Sequence, residues 1–212
     1  MTLPLTLDRD AALRRGRLLN AISLAYNSAE SIIAIAAGLA AGSIALVGFG
    51  FDSAIEVSAT LAATWRLAAD GNATTRDRVE RVALRFIGAT FLVLAAYVAV
   101  ESTTALLERT HPEVSPLGLA LAVVSVTLMP FLARAKKAVA RRLDSGALAA
   151  EAQQTALCSW LSAILLAGLG LNALFGWWWA DAVAALGMVP IIAREGWAGV
   201  RGISDCGCGH AH

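Results

Sequence analysis

The chain has 212 residues, of which 58% are hydrophobic, a mean hydropathy of +0.65 and a formal net charge of +1. An ordinary soluble domain of this length is nearer half apolar, so the excess calls for lipid as a second solvent. The near-zero charge hides a strong ordering of charge along the chain, and three cysteines do not make a disulfide framework.

Residues 1–17 are mixed-charge, lack an apolar core with a small-residue cleavage site, and read as a cytoplasmic N-terminal arm. Residues 18–203 read as a transmembrane domain. A bilayer core takes about 20 apolar residues as a helix, and six such runs follow: 18–40, 44–68, 82–100, 116–133, 148–175 and 178–200. They are Ala/Leu-rich without period-2 alternation, so the expectation is an all-α integral membrane protein with six spans. Sixteen of the seventeen Lys and Arg residues fall at the N-terminal arm, the second-to-third and fourth-to-fifth connections and the C-terminal end, and Arg109 alone lies on the opposite side. The positive-inside rule then places both termini in the cytoplasm and explains the basic residues without a nucleic acid. Trp177, Trp178 and Trp179, after the turn at Phe175-Gly176, read as an outer interfacial belt, and Trp65 and Trp197 as anchors near the inner face.

Ionisable groups within a span are costly and ask for a partner, a cavity or a function. At about 1.5 Å per residue, helix one brings Asn27 and Glu30 near the midplane, helix two brings Asp52 and Glu56, and helix five brings Gln154 and Cys158. Asp52 and Glu56 are four apart, as are Gln154 and Cys158, so each pair shares a helix face. Two carboxylates on one face at depth repel each other when both are ionised, and a bound cation removes that repulsion. Carboxylate oxygens beside a thiol suit a borderline divalent metal such as zinc. None of the Lys and Arg residues is placed at midplane depth to neutralise these acids instead. Cys158 reads as a ligand or a small buried hydrophobe, Gln154 as a ligand or an interhelical hydrogen-bonding group, and Glu30 as a ligand or a proton carrier. Asn27 and Tyr26 read as packing or supporting groups. Glu101 and Asp181, near the outer helix ends, line an exit vestibule or are solvated helix-end acids; Glu151 lies where it could guard an inner entrance.

Residues 204–212 form a separate tail. Cys206, Cys208, His210 and His212, spaced by Gly and Ala, can wrap a thiophilic or borderline metal ion.

The run Gly42-Ser43-Ile44-Ala45-Leu46, then Phe51-Asp52-Ser53 with Glu56 one turn on, resembles helix two of the cation diffusion facilitator transporters. Trp179-Ala180-Asp181 at the start of helix six and the six-helix layout are similar to the same family. The resemblance implies efflux of zinc or a related divalent metal, commonly in exchange for protons, with the acidic pair mapping onto Asp52 and Glu56. Family members commonly carry His and Asp four apart on helix five. Gln154 and Cys158 occupy those places here, which implies a softer ion or a site completed by Glu30. The chain resembles the short branch without a cytoplasmic metal-binding domain, so a homodimer would use membrane helices.

These readings lead to an expected secondary transporter that exports a zinc-like divalent metal from the cytoplasm by proton exchange and alternating access. Its partners are metal ions, protons and lipid, with no permanent cofactor and no nucleic acid, and its location is a bacterial inner membrane. The rival is a non-transporting metal sensor or metal-chaperone partner acting through the tail, which tail removal would separate. An enzyme is not expected: His111, His210 and His212 all lie outside the spans, so no nucleophile–base pair accompanies the polar cluster.

Overall fold

The computed structural model describes residues 3–41, 44–109 and 116–202, and among these the regular structure is entirely helical. The elements are α1 (Leu3–Ala41), α2 (Ile44–Ala68), a 3-10 turn (Ala69–Gly71), α3 (Ala73–Glu108), α4 (Pro116–Leu143), α5 (Gly146–Phe175) and α6 (Ala180–Val200). By length and composition, helical segments within α1, α3, α4 and α6 qualify as membrane spans: Asp8–Ala37, Ala73–Glu108, Pro116–Leu143 and Ala182–Val200. The other two long helices, α2 and α5, carry the paired polar residues singled out above. Large apolar side chains such as Ile32, Val93, Phe131 and Leu174 stand exposed on the outer faces, as a bundle solvated by lipid requires.

Several helices run past the predicted spans. α1 begins at Leu3 and covers most of the predicted arm, α3 begins at Ala73, and α4 continues to Leu143 instead of stopping near residue 133. Hydropathy marks where a helix leaves lipid, not where its hydrogen bonding ends. The extensions are also packed: Ala12 is 1% exposed and belongs to an apolar cluster with Ala63, Leu67, Val139, Leu143 and Leu148. The arm is therefore joined to the bundle at Arg9, which pairs with Asp70, and at Ala12.

The tightest neighbours are α1 with α2, α3 with α6 and α4 with α5. α2 also meets α3 and α5, and α5 also meets α3 and α6, so the two polar-bearing helices are central. Small residues set the α3–α6 approach. A Cβ on Gly88 would lie 2.5 Å from the Val200 nitrogen, and Gly196 and Gly199 face Gly88 across the same crossing. At the far end of α5, Gly176 adopts φ 68° in the short turn to α6, and the Trp177 and Trp179 rings stack with centroids 5.7 Å apart.

A charge cluster ties the loop ends of the bundle together. Arg66, 1% exposed, pairs with Glu80 and reaches Asp70 at 2.9 Å, and Arg9 reaches Asp70 at 2.7 Å. Glu80 also accepts from the Ala147 nitrogen at 2.6 Å and from the Ser145 hydroxyl. It thus satisfies one free N–H group at the start of a neighbouring helix, a cap supplied in space instead of in sequence. Burial by itself would raise the Asp70 carboxyl, but the hydrogen bonds from Arg9 and Arg66 outweigh it and hold the group below the usual carboxylate range. Arg66, one of the basic residues at the connection between the second and third predicted helices, is thus also a buried structural cation.

Candidate metal site

α1, α2, α4 and α5 turn polar faces toward one another. On α1 the buried stripe is Asn20, Ser23, Asn27 and Glu30; on α2 it is Ser53, Glu56 and Thr60; on α5 it is Glu151, Thr155 and Cys158. Each stripe repeats at three- and four-residue intervals, so local helix geometry suffices to gather its members on one face. Packing then brings the stripes together.

Asp52 and Cys158 meet across the α2–α5 interface, the thiol donating to the Asp52 carboxylate at 3.7 Å. Glu56, one turn along α2 from Asp52, is 1% exposed. Glu56 Oε1 accepts from the Thr155 hydroxyl at 2.7 Å. Glu30, 4% exposed, lies on the α1 side of this group, where its two oxygens accept from Tyr26 at 2.7 Å and from Ser53 at 2.8 Å. Every buried acid of the cluster thus has a hydroxyl or thiol donor, as buried carboxylates require. Among the described residues, no three His, Cys, Asp or Glu side chains converge as a ready metal cage. Glu30 is hydrogen-bonded to Tyr26 and Ser53 instead, and Glu56 to Thr155.

The remaining predicted residues spread around this centre. Gln154 is fully buried, and its carbonyl oxygen accepts from Thr90 of α3 at 3.3 Å while its Nε2 has no partner. Asn27 is fully buried with neither amide atom bonded. Glu101 is half-buried on α3 and hydrogen-bonded by Tyr97, one turn earlier, near the close approach of Gly48 on α2. Asp181 is the second residue of α6. Cys206, Cys208, His210 and His212 lie outside the described residues.

Glu151 has a partner that the sequence reading missed. It is buried in an ion pair with Lys136 of α4, whose ammonium also reaches the Thr155 hydroxyl at 3.1 Å, and it accepts from Thr60 at 2.9 Å. By hydropathy alone Lys136 belongs to the connection between helices four and five. It is instead 3% exposed, because α4 continues past its predicted end and turns this side chain inward. Lys136 pairs with Glu151 and not with Asp52, Glu56 or Glu30; one hydroxyl, Thr155, separates its ammonium from Glu56. The available signal was the spacing of Glu151 and Thr155, four apart on one face with Cys158 a turn further.

A family model of the cation efflux transmembrane domain matches residues 21–201 of this chain. An uncharacterized transporter of Synechocystis sp. is 25% identical over 153 residues, covering 69% of this chain and 49% of that protein. The chain spans about half the length of the curated relative it matches.

Proposed function

Because this chain belongs to the cation diffusion facilitator family, its cation efflux domain match covering residues 21–201, we propose that it exports a divalent transition metal from the cytoplasm by alternating access. The observation that carries this reading is the contact of Asp52 and Cys158 across α2 and α5, with the buried Glu56 one turn from Asp52 on the same helix. Asp52 and Glu56 bind the ion, and Cys158, Gln154 and Glu30 complete its coordination. Metal binding exchanges hydrogen bonds for coordination bonds: the Thr155 hydroxyl leaves Glu56, and Tyr26 and Ser53 release Glu30. Ligation needs deprotonated acids, so protons arriving from the outer side compete with the ion, expel it and reset the site. A thiol among carboxylates suits zinc, and admits softer ions such as cadmium more readily than an all-oxygen site does.

The same reading takes all six long helices as spans, with both termini cytoplasmic, on the distribution of Lys and Arg. Residence in a bacterial inner membrane draws support from the cyanobacterial relative. Assembly as a homodimer through membrane helices, metal capture by the Cys206–His212 tail, and an outer vestibule formed by Glu101 and Asp181 belong to the same proposal.

The test is metal uptake into proteoliposomes across zinc, cadmium, cobalt, manganese, iron(II) and copper(I), with Asp52→Ala as the paired control. Uptake that vanishes in the variant supports transport through this site. No flux of any metal in a folded, inserted preparation would overturn the reading.

A further inference from the structure

A small pocket lies among the cytoplasmic ends of α1, α2, α4 and α5, with Asn20, Leu148, Lys136 and Glu151 in its wall. Two of the residues in its wall, Lys136 and Glu151, form an ion pair whose side chains are 3% and 1% exposed. Beyond the pair stands Thr155, which bonds Lys136 on one side and Glu56 on the other. The order from pocket to acidic cluster is therefore ion pair, hydroxyl, carboxylate. Beside it on α1, Asn20 is bonded to Thr64, while Ser23 and Asn27 are buried with unpartnered polar side-chain atoms.

Stability alone is a poor reason for this arrangement, since a buried ion pair is commonly matched or bettered by packed apolar residues of the same volume. Its position gives it a different use. With Lys136 seated, Glu151 is neutralised, and the inner wall of the pocket holds no net charge to draw a cation deeper. With Lys136 displaced, Glu151 and the hydroxyls of Thr60 and Thr155 become an oxygen site directly above Glu56. Lysine suits that exchange better than arginine, because its ammonium is a single point charge on a flexible stem.

We propose that Lys136 is a tethered cation closing the cytoplasmic side of the acidic cluster, and that Glu151 is the carboxylate an incoming divalent metal takes from it. The proposal rests on the transport reading above, and it adds a gate and an inner binding residue to the metal's route. Lys136 is the ion's competitor: the metal pays for its own passage by displacing the ammonium.

The test uses the full chain in proteoliposomes with the cytoplasmic face outward and zinc as the probe. Lys136→Met removes the competitor and lowers the KM for zinc several-fold; Glu151→Gln removes the ligand and raises it tenfold or more. A second readout needs no transport: in a Cys206→Ser, Cys208→Ser background, a small thiol reagent added from the cytoplasmic side labels Cys158 faster once Lys136 is Met. Where Lys136→Met alone fails to fold, the double variant with Glu151→Gln leaves no charge unpaired and carries the labelling measurement. KM shifts in the same direction for both single variants, or labelling at the wild-type rate, overturn the gate while leaving the transporter standing. A wild-type protein that moves no zinc overturns the transport reading and the gate with it.

Discussion

Thr155 donates to Glu56 across the α2–α5 interface at 2.7 Å, while the same hydroxyl lies 3.1 Å from the Lys136 ammonium. One small side chain thus couples the carboxylate of the candidate metal site to the only buried lysine among the described residues. Thr155→Val keeps the shape and deletes the hydroxyl, leaving two buried charged groups short of a partner. We expect a stability loss of about 1–3 kcal/mol, read as a lower midpoint of thermal unfolding in detergent. An unchanged midpoint would show that water replaces the hydroxyl at no cost.

Cys158 governs the softness of the site in the proposed function. Cys158→Ser retains a small polar group but removes the thiol that contacts Asp52 at 3.7 Å. Cadmium uptake should fall relative to manganese uptake, since thiolate favours the softer ion. A cadmium-to-manganese ratio that does not move would place Cys158 outside the coordination sphere.

Asp70 links folding to pH. Arg9 and Arg66 hold its carboxyl below the usual carboxylate range despite burial. A group whose folded value is depressed contributes stability above its unfolded value, near 4, and loses it as pH falls through the folded value. Asp70→Asn should therefore lower the unfolding midpoint at pH 7, and the gap to the wild type should close progressively below pH 4. A gap that stays constant down to pH 3 would mean that the ionised form of Asp70 is not what stabilises the bundle.

The α3–α6 crossing depends on Gly88. A methyl group there would sit 2.5 Å from the backbone of Val200, and backbone cannot swing aside as a side-chain tip can. Gly88→Ala should cost about 1–3 kcal/mol by overpacking, whereas Gly187→Ala, which would meet nothing within 4 Å, should be neutral or stabilising. Comparing the yield and thermal midpoint of the two variants checks this, and equal behaviour would remove close packing as the reason for Gly88.

What the amino-acid order determined by itself was whatever depends on local repeats. Runs of apolar residues implied membrane helices, and the i, i+3 and i, i+4 spacings put Asp52 with Glu56 on one face and drew attention to Glu30 and Cys158. Those inferences need only the pitch of a helix and the cost of a charge in lipid. The tertiary structure decided which faces meet. Hydropathy marks the edge of the lipid-like run and says nothing about the helix beyond it, so by itself it leaves Lys136 and Arg66 in the connections. The extended α4 and the packed end of α2 carry both cations into the bundle, to Glu151 and to Glu80. Likewise Tyr26 and Ser53 come to Glu30, and Thr155 to Glu56, through the packing of α1, α2 and α5. Of these contacts only Tyr26–Glu30 lies within one helix; the others join residues from 14 to 99 positions apart, beyond the reach of any helical repeat.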